Sequence, residues 1–299
     1  MNKLKNLIVG VDFSPRSLAA TQMAIALAEP ADAIVELVHV VETQLSDSDA
    51  AVLGKSRDEI LALLVDEAQT ALSSFAAQLG YEKLRRTVIT GSAALELAKH
   101  AEKRKVDILV VGDIGSGSSI PPRGVGVTAY RLVERGPRNV LVVKPGHSAK
   151  VSSVVAAVTF MPVANDVLRQ AHLIARISRA ELHVVRVIPD ITELRYRLAI
   201  LPSDMERIFS ESVHYNESRL KEFVDKHRIH DVVVRTSTLT GKPGQALVEY
   251  LQNENIDVVV LGTGTSYRIV GYPVGSTTHR VLNQTLSSVL VVRSLEPPP

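Results

Sequence analysis

Residues Thr90–Gly112 and Thr240–Gly262 align without a gap, and this internal repeat constrains the fold more than any other feature of the chain. The first copy reads TGSAALELAKHAEKRKVDILVVG and the second TGKPGQALVEYLQNENIDVVVLG. Each opens on a Thr-Gly turn, runs through a helical stretch, meets an Asp (Asp107, Asp257) and ends in a short apolar run closed by glycine. The offset is 150 in a chain of 299 residues, far beyond the roughly 20–50 residues of a solenoid unit. The chain is therefore expected to carry a duplicated domain, each copy large enough for its own core.

Composition narrows the class. Apolar residues make up 45% and charged residues 22%, an ordinary globular balance, while aromatics at 4% leave the cores to Val, Leu, Ala and Ile. A formal charge of +2, with basic residues set beside acids, does not advertise nucleic acid as a partner. The absence of cysteine excludes a disulfide framework, a thiolate nucleophile and a zinc ribbon, and it fits a reducing compartment. The apolar run Leu7–Val11 has strand length, not that of a signal peptide, and no apolar stretch of membrane-spanning length stands out. A cytoplasmic location with no membrane partner is the expectation.

Both halves alternate buried-strand runs with helical patterns, the signature of a parallel sheet covered by helices. In the first half the runs are Asn6–Val11, Ile34–Val41, Arg86–Ile89, Asp107–Val111 and Val140–Val143. Helical periodicity falls near Arg16–Ala28, Ser56–Leu79, Ala94–Arg104 and Gly126–Arg135. In the second half the strands are Ser153–Val158, Glu181–Ile188, Asp231–Ser237, Asp257–Leu261 and Val289–Arg293. Its helices lie near Val163–Ser178, Asp204–Lys226, Gln245–Asn253 and Ser276–Asn283. The expected fold is α/β, with two tandem doubly wound five-stranded parallel sheets in strand order 3-2-1-4-5. The domains span residues 1–146 and 151–295, joined by the polar link Lys144–Val151. The last strands would sit at sheet edges, where unpaired backbone needs cover, so a pseudo-twofold pairing of the halves is expected, with association into a homodimer as a further step. Long connections at Asp47–Asp49 and Thr192–Ser203 precede the second helix of each half.

Doubly wound sheets bind ligands at the carboxyl ends of their strands, where the strand order reverses. Asp12 ends the first strand and Gly112 the fourth, so the two should face one crevice. After the fourth strand the halves run GDIGSGSSIPPRGVGVTAYRL and GTGTSYRIVGYPVGSTTHRVL. Such loops let backbone N–H groups approach an anion, and a helix starting at Gly126 or Gly275 would add free donors and a favourable dipole. Ser276 and Thr277 could donate hydroxyl hydrogen bonds or cap that helix. The plain alternative is a glycine turn with no ligand.

These loops and strand ends resemble the universal stress protein family in its tandem form, over essentially the whole chain. Nucleotide-binding members carry Gly-x-x-Gly, nine residues, then Gly and Ser or Thr after the fourth strand. Here the second half supplies Gly262, the spacer Ser266–Val274 and Gly275-Ser276, but has Thr265 at the second glycine, beside Gly264. The first half supplies Gly112 and Gly115, then ten residues before Gly126, with Val127 at the hydroxyl position and Thr128 one place on; Pro121-Pro122 stiffens that loop. Val11-Asp12-Phe13-Ser14 resembles the adenosine-side motif, whose Asp contacts the nucleoside; a helix-capping or turn role is the alternative for Asp12. The matching residue of the second half is Thr159. Val40 and Val187 match the positions whose main chain meets adenine. The resemblance implies ATP or another adenine nucleotide, with Mg²⁺, in one or both halves, and an unidentified protein partner. The second half is favoured as the phosphate binder.

Spacing nominates no catalytic set. The pair His227 and His230 falls where a helix should end, and solvated histidines are favoured over a zinc site. His39 is read as a packed histidine. No Ser–His–Asp arrangement or close carboxylate pair is suggested. GxxxxGK[ST] is absent, and Gly115-Ser116-Gly117 follows the fourth strand, not the first, so a dinucleotide reading fails on context. The expected role is a regulatory stress-response binding protein with at most slow hydrolysis; the alternative is a scaffold or small-ligand binder whose pockets have decayed. Adenylyl transfer on a related fold lacks the basic motifs it would need.

Overall fold

The computed structural model describes residues 3–42, 54–115, 124–137, 139–146, 150–189, 202–263 and 274–293. It divides into two compact units, Met1–Lys150 and Val151–Pro299. The first unit runs β1 (Asn6–Gly10), α1 (Pro15–Ala28), β2 (Ile34–Val41), α2 (Arg57–Ala77), β3 (Leu84–Thr90), α3 (Ala93–Arg104), β4 (Ile108–Gly112), α4 (Val127–Arg135) and β5 (Asn139–Val143). The second runs β6 (Ser153–Ala157), α5 (Val163–Ser178), β7 (Glu181–Ile188), α6 (Pro202–Lys226), β8 (Val234–Thr240), α7 (Pro243–Asn253), β9 (Val258–Gly262), α8 (Ser276–Gln284) and β10 (Ser288–Val292).

The first unit orders its strands β3-β2-β1-β4-β5 and the second β8-β7-β6-β9-β10, all within-unit pairs being parallel. This is the 3-2-1-4-5 order expected from the sequence. The central strands are apolar on both faces because helices cover both; Ile8, Val9, Leu109, Val110, Val155 and Val259 are fully buried.

The repeated segment now has a physical explanation. Its Asp holds the start of the neighbouring first strand: Asp107 Oδ2 accepts the backbone N–H groups of Lys5 (2.7 Å) and Asn6 (2.9 Å). Asp257 Oδ2 does the same for Ser152 (2.7 Å) and Ser153 (3.0 Å). One carboxylate thus satisfies two donors that the parallel ladder leaves over, and fixes the β1–β4 and β6–β9 registers. The Thr-Gly turn needs its glycine, because Gly91 and Gly241 have φ of 133° and 120°. Both donate their N–H to the strand beside them, at Val41 and Ile188, over 3.0 Å.

The sequence misplaced the edge strands. The run Asp231–Ser237 is not the strand; β8 begins at Val234, and β3 begins at Leu84, two residues before the expected Arg86. Both edge strands show the same burial, half-buried or exposed at every position and nowhere fully buried. The apolar cluster that pulled the expected boundary forward includes Val233, which is exposed. The expectation of no long apolar stretch also needs correction. Helix α2 is long and apolar enough to cross a membrane by length and composition, with mean hydropathy 1.3 in its best window. In the fold it lies on β2 and β3, with Ile60, Ala68 and Leu72 buried. A capping box from Ser56 and Glu59 starts it. The connections at Asp47–Asp49 and most of Thr192–Ser203, like Pro121-Pro122, lie outside the described residues.

One buried polar cluster has changed chemistry between the copies. In the first unit Glu36 on β2 accepts from Thr87 Oγ1 (2.7 Å) and pairs with His100 Nε2 (2.9 Å), with Arg104 at 3.5 Å. The corresponding second-unit trio is His183, Ser237 and Tyr250, with His183 Nδ1 2.8 Å from the Tyr250 hydroxyl. Burial raises the Glu36 pKa, but the hydrogen bonds of Thr87 and His100 and the charges of His100 and Arg104 outweigh it, so the carboxyl titrates below its ordinary value.

Two stability measurements follow. Replacing Asp257 with Ala leaves two strand-end N–H groups without their acceptor and should cost about 1–3 kcal/mol, read by urea denaturation, with Asp257→Asn costing less. Because the folded-state pKa of Glu36 is depressed, its contribution is present above the unfolded value and is lost as pH falls through the folded value. Glu36→Gln should therefore flatten the decline in stability between about pH 6 and pH 3; an equally steep decline would contradict the assignment.

Candidate functional site

In the first unit the reversal of strand order opens a crevice of about 420 Å³ at the carboxyl ends of β1, β2 and β4. Asp12, Val40, Gly112, Gly115, Gly126 and Thr128 all line it. Six positions chosen from sequence thus meet in one place. His39, Glu42 and Asp113 line it as well.

Asp12 takes the turn role considered for it and also lies on the crevice. Its Oδ1 accepts the Ser14 N–H (3.1 Å) and hydroxyl (2.6 Å), while Ser14 caps α1 by accepting from Ser17 N–H (3.1 Å). Its Oδ2 points toward the glycine loop, 3.1 Å from where a Cβ on Gly115 would stand. Phe13, forced into the left-handed region at φ 61°, stacks on the His39 ring with centroids 4.6 Å apart. His39 in turn donates from Nδ1 to the Val11 carbonyl at 2.8 Å. That histidine is a packing residue holding the end of β1, as expected.

The two glycines after β4 work differently. A Cβ on Gly112 would press on the Arg16 backbone of α1 at 3.1 Å, so this glycine permits close helix packing. Gly126 is the N-cap of α4, where a Cβ would meet the backbone of Ile114 and Asp113, and it brings no capping side chain of its own. Its first-turn N–H groups face the crevice, with Val127 exposed and Thr128 beside it.

Beneath the loop lies a charged cluster that the sequence did not reveal. Asp113 is 2% exposed and pairs with Arg16 (2.5 Å) and Lys144 (3.6 Å). Lys144, itself buried, donates to the Gly124 carbonyl at 3.0 Å and so ties down the far end of the loop. Burial lowers the Lys144 pKa, and the charge of Asp113 opposes that shift. A position-by-position comparison of the halves contains the signal, since the matching residues are Val163, Thr263 and Arg293.

In the second unit the phosphate-side residues are placed as expected where they are described. Gly275 is the N-cap of α8 with nothing within 4 Å of a Cβ and no capping side chain of its own, and Ser276 and Thr277 form the first turn. Thr278, not Ser276, bonds back to the Gly262 carbonyl (3.3 Å). Gly262 is a packing glycine, because a Cβ there would meet Val163 at 2.8 Å. Gly264, Thr265 and most of the spacer lie outside the described residues. Thr159 is exposed and Val187 half-buried at the ends of β6 and β7. Among the described residues no three His, Asp or Glu side chains converge as metal ligands. His227 Nδ1 donates to the Phe223 carbonyl at 2.8 Å, which closes the end of α6.

Comparisons with known proteins agree with this architecture. A universal stress protein of Methanocaldococcus jannaschii is 32% identical over 146 residues, covering 48% of this chain and 84% of that one. Universal stress protein A of Escherichia coli K12 is 25% identical over 108 residues, covering 36% of this chain and 74% of that one. Among solved structures, a universal stress protein from Pseudomonas aeruginosa UCBPP-PA14 superposes with a TM-score of 0.65 at 16% identity, covering 97% of this chain and 93% of that one. One from Archaeoglobus fulgidus superposes at 0.64, also at 16% identity, covering 96% and 98%. The profile of the Universal stress protein family matches residues 3–144 and again 150–293, and with both repeats matched the chain belongs to the universal stress protein family.

Proposed function

We propose that this chain is a stress-response regulator that binds an adenine nucleotide, ATP in the first instance, with the first-unit crevice as its adenosine site. The observation that carries the reading is the convergence of Asp12, Val40, Gly112, Gly115, Gly126 and Thr128 on one crevice. Asp12 offers a carboxylate to ribose hydroxyls, the main chain at Val40 lies on the crevice wall for a base edge, and the uncapped amino end of α4 offers N–H donors to phosphate. The second unit keeps the phosphate end in Gly275, Ser276 and Thr277, and has Thr159 where the first has Asp12. The two sites are therefore unequal, with the second better suited to phosphate and the first to the nucleoside.

With no convergent set of acidic ligands among the described residues, Mg²⁺ would arrive on the nucleotide phosphates, as it commonly does. The chain acts as a binder, with hydrolysis at most slow. Binding would bias the surface shown to a protein partner, which requires different nucleotide affinity in two states of the chain. A cytoplasmic location and association into a homodimer belong to the same proposal.

The exposed Val127 in place of a hydroxyl gives the second reading, a pocket that no longer takes nucleotide, one specific point in its favour. Thermal unfolding decides between them. ATP with Mg²⁺ at a hundred times Kd should stabilise the occupied unit by about 2.7 kcal/mol, a melting shift of several degrees. Asp12→Ala should weaken ATP binding by about ten- to a hundredfold, the worth of a charge-assisted hydrogen bond. Gly275→Leu with Ser276→Leu should abolish any second-unit contribution measured by calorimetry. No shift with ATP in the intact chain would favour the decayed-pocket reading.

A further inference from the structure

Among the described residues, the ends of β6 and β7 carry the opposite charge from the ends of β1 and β2 to which they correspond. In the first unit Asp12 and Glu42 stand at the ends of β1 and β2. The strand registers equate them with Thr159 and Pro189, so both acids are gone. Two guanidinium groups stand there in their place. Arg186, at the position of His39, lies 4.3 Å from the Phe160 ring centroid, and Arg219 of α6 lies 4.2 Å from the same centroid. The first unit instead packs Phe13 against His39 and Phe75.

This arrangement is costly without a counter-charge. Arg186 is half-buried, and both its burial and the neighbouring Arg219 push its pKa down. Among the described residues neither guanidinium has a carboxylate partner, and the recorded polar contact of Arg186 is its Nε donating to Asn216 Oδ1 at 3.2 Å. That bond spends one donor and orients the group; the ring of Phe160 holds both cations by cation–π attraction. Terminal guanidinium N–H pairs remain, in the fork geometry that suits an oxyanion.

We propose that Phe160, Arg186 and Arg219 form an anion site for a phosphoryl group at the carboxyl ends of β6 and β7. Charge matching selects the ligand class: a phosphate monoester carries about −1.5 to −2 near neutral pH and balances two guanidinium groups, whereas a carboxylate balances one. The site lies at the opposite end of the unit's crevice from Gly275 and the amino end of α8, by the correspondence with the first unit. The second unit would then accept a ligand with a phosphoryl group where the first accepts a ribose. This inference stands apart from ATP binding by the first unit.

Calorimetric titration of the intact chain with inorganic phosphate at fixed ionic strength tests it, with acetate as the second probe. Phosphate should bind, and Arg186→Gln with Arg219→Gln should weaken it at least tenfold, while Lys226→Gln, which removes a like charge from the exposed last residue of α6, leaves it within twofold. Should the double variant not fold, Arg219→Gln alone, at an exposed helix position, should weaken binding at least threefold. Absence of phosphate binding, equal binding by the arginine variants, an equal loss in the Lys226 variant, or tighter binding of acetate than of phosphate would overturn the proposal. ATP titrated into the same samples separates the two readings, since the arginine variants should keep the first unit's ATP affinity.

Discussion

The reversal of strand order beside β1 and β6 is the constraint on which the rest depends. Chain leaving β1 turns toward one face of the sheet and chain leaving β4 toward the other, so nothing fills the gap between them. The protein fixes that gap from below with a carboxylate that clasps two N–H groups of the neighbouring strand, Asp107 in one unit and Asp257 in the other. Glycines 112 and 262 let α1 and α5 pack close to the strand ends. The helix that follows each glycine loop starts at a glycine N-cap, Gly126 or Gly275, which brings no capping side chain of its own. A helix that begins on a glycine thus follows the fourth strand in both units.

What differs between the units is charge, and it differs at the positions the backbone leaves free. Below the first loop, Arg16, Asp113 and Lys144 form a buried cluster whose lysine holds the Gly124 carbonyl. Its counterparts are Val163, Thr263 and Arg293, so the Arg16 and Asp113 charges are lost while a cation is kept at the third position. At the nucleoside end, two acids in one unit face two arginines in the other. A duplication that keeps its core strands while exchanging crevice charges is expected to separate the ligands of its two halves, since specificity is a difference of affinities.

Much of this was legible in the sequence, for identifiable reasons. Central strands are continuous apolar runs, so β1, β4, β6 and β9 could be located closely, and the repeat tied the halves together. The edge strands β3 and β8 are more polar and nowhere fully buried, and the Val232–Val234 run pulled the expected start of β8 three residues early. The Asp12 motif and the glycines were visible because each sits in a local pattern. The Phe160–Arg186–Arg219 contact and the Asp113–Lys144 cluster were not, because each joins residues from separate elements at spacings that follow no motif. The double duty of Asp12, one oxygen in the Ser14 turn and one toward Gly115, likewise emerges only from geometry.

The claim that unites these features is that the scaffold presents a working adenine-nucleotide crevice in the first unit. Native mass spectrometry of the intact chain, with ATP and Mg²⁺ added at increasing concentration, tests it most directly. The account predicts a saturable adduct with the mass of an adenine nucleotide that is lost when Asp12 is replaced by Ala and the Gly126 position is filled by Leu. A chain that keeps its bare polypeptide mass at every ATP concentration would contradict it.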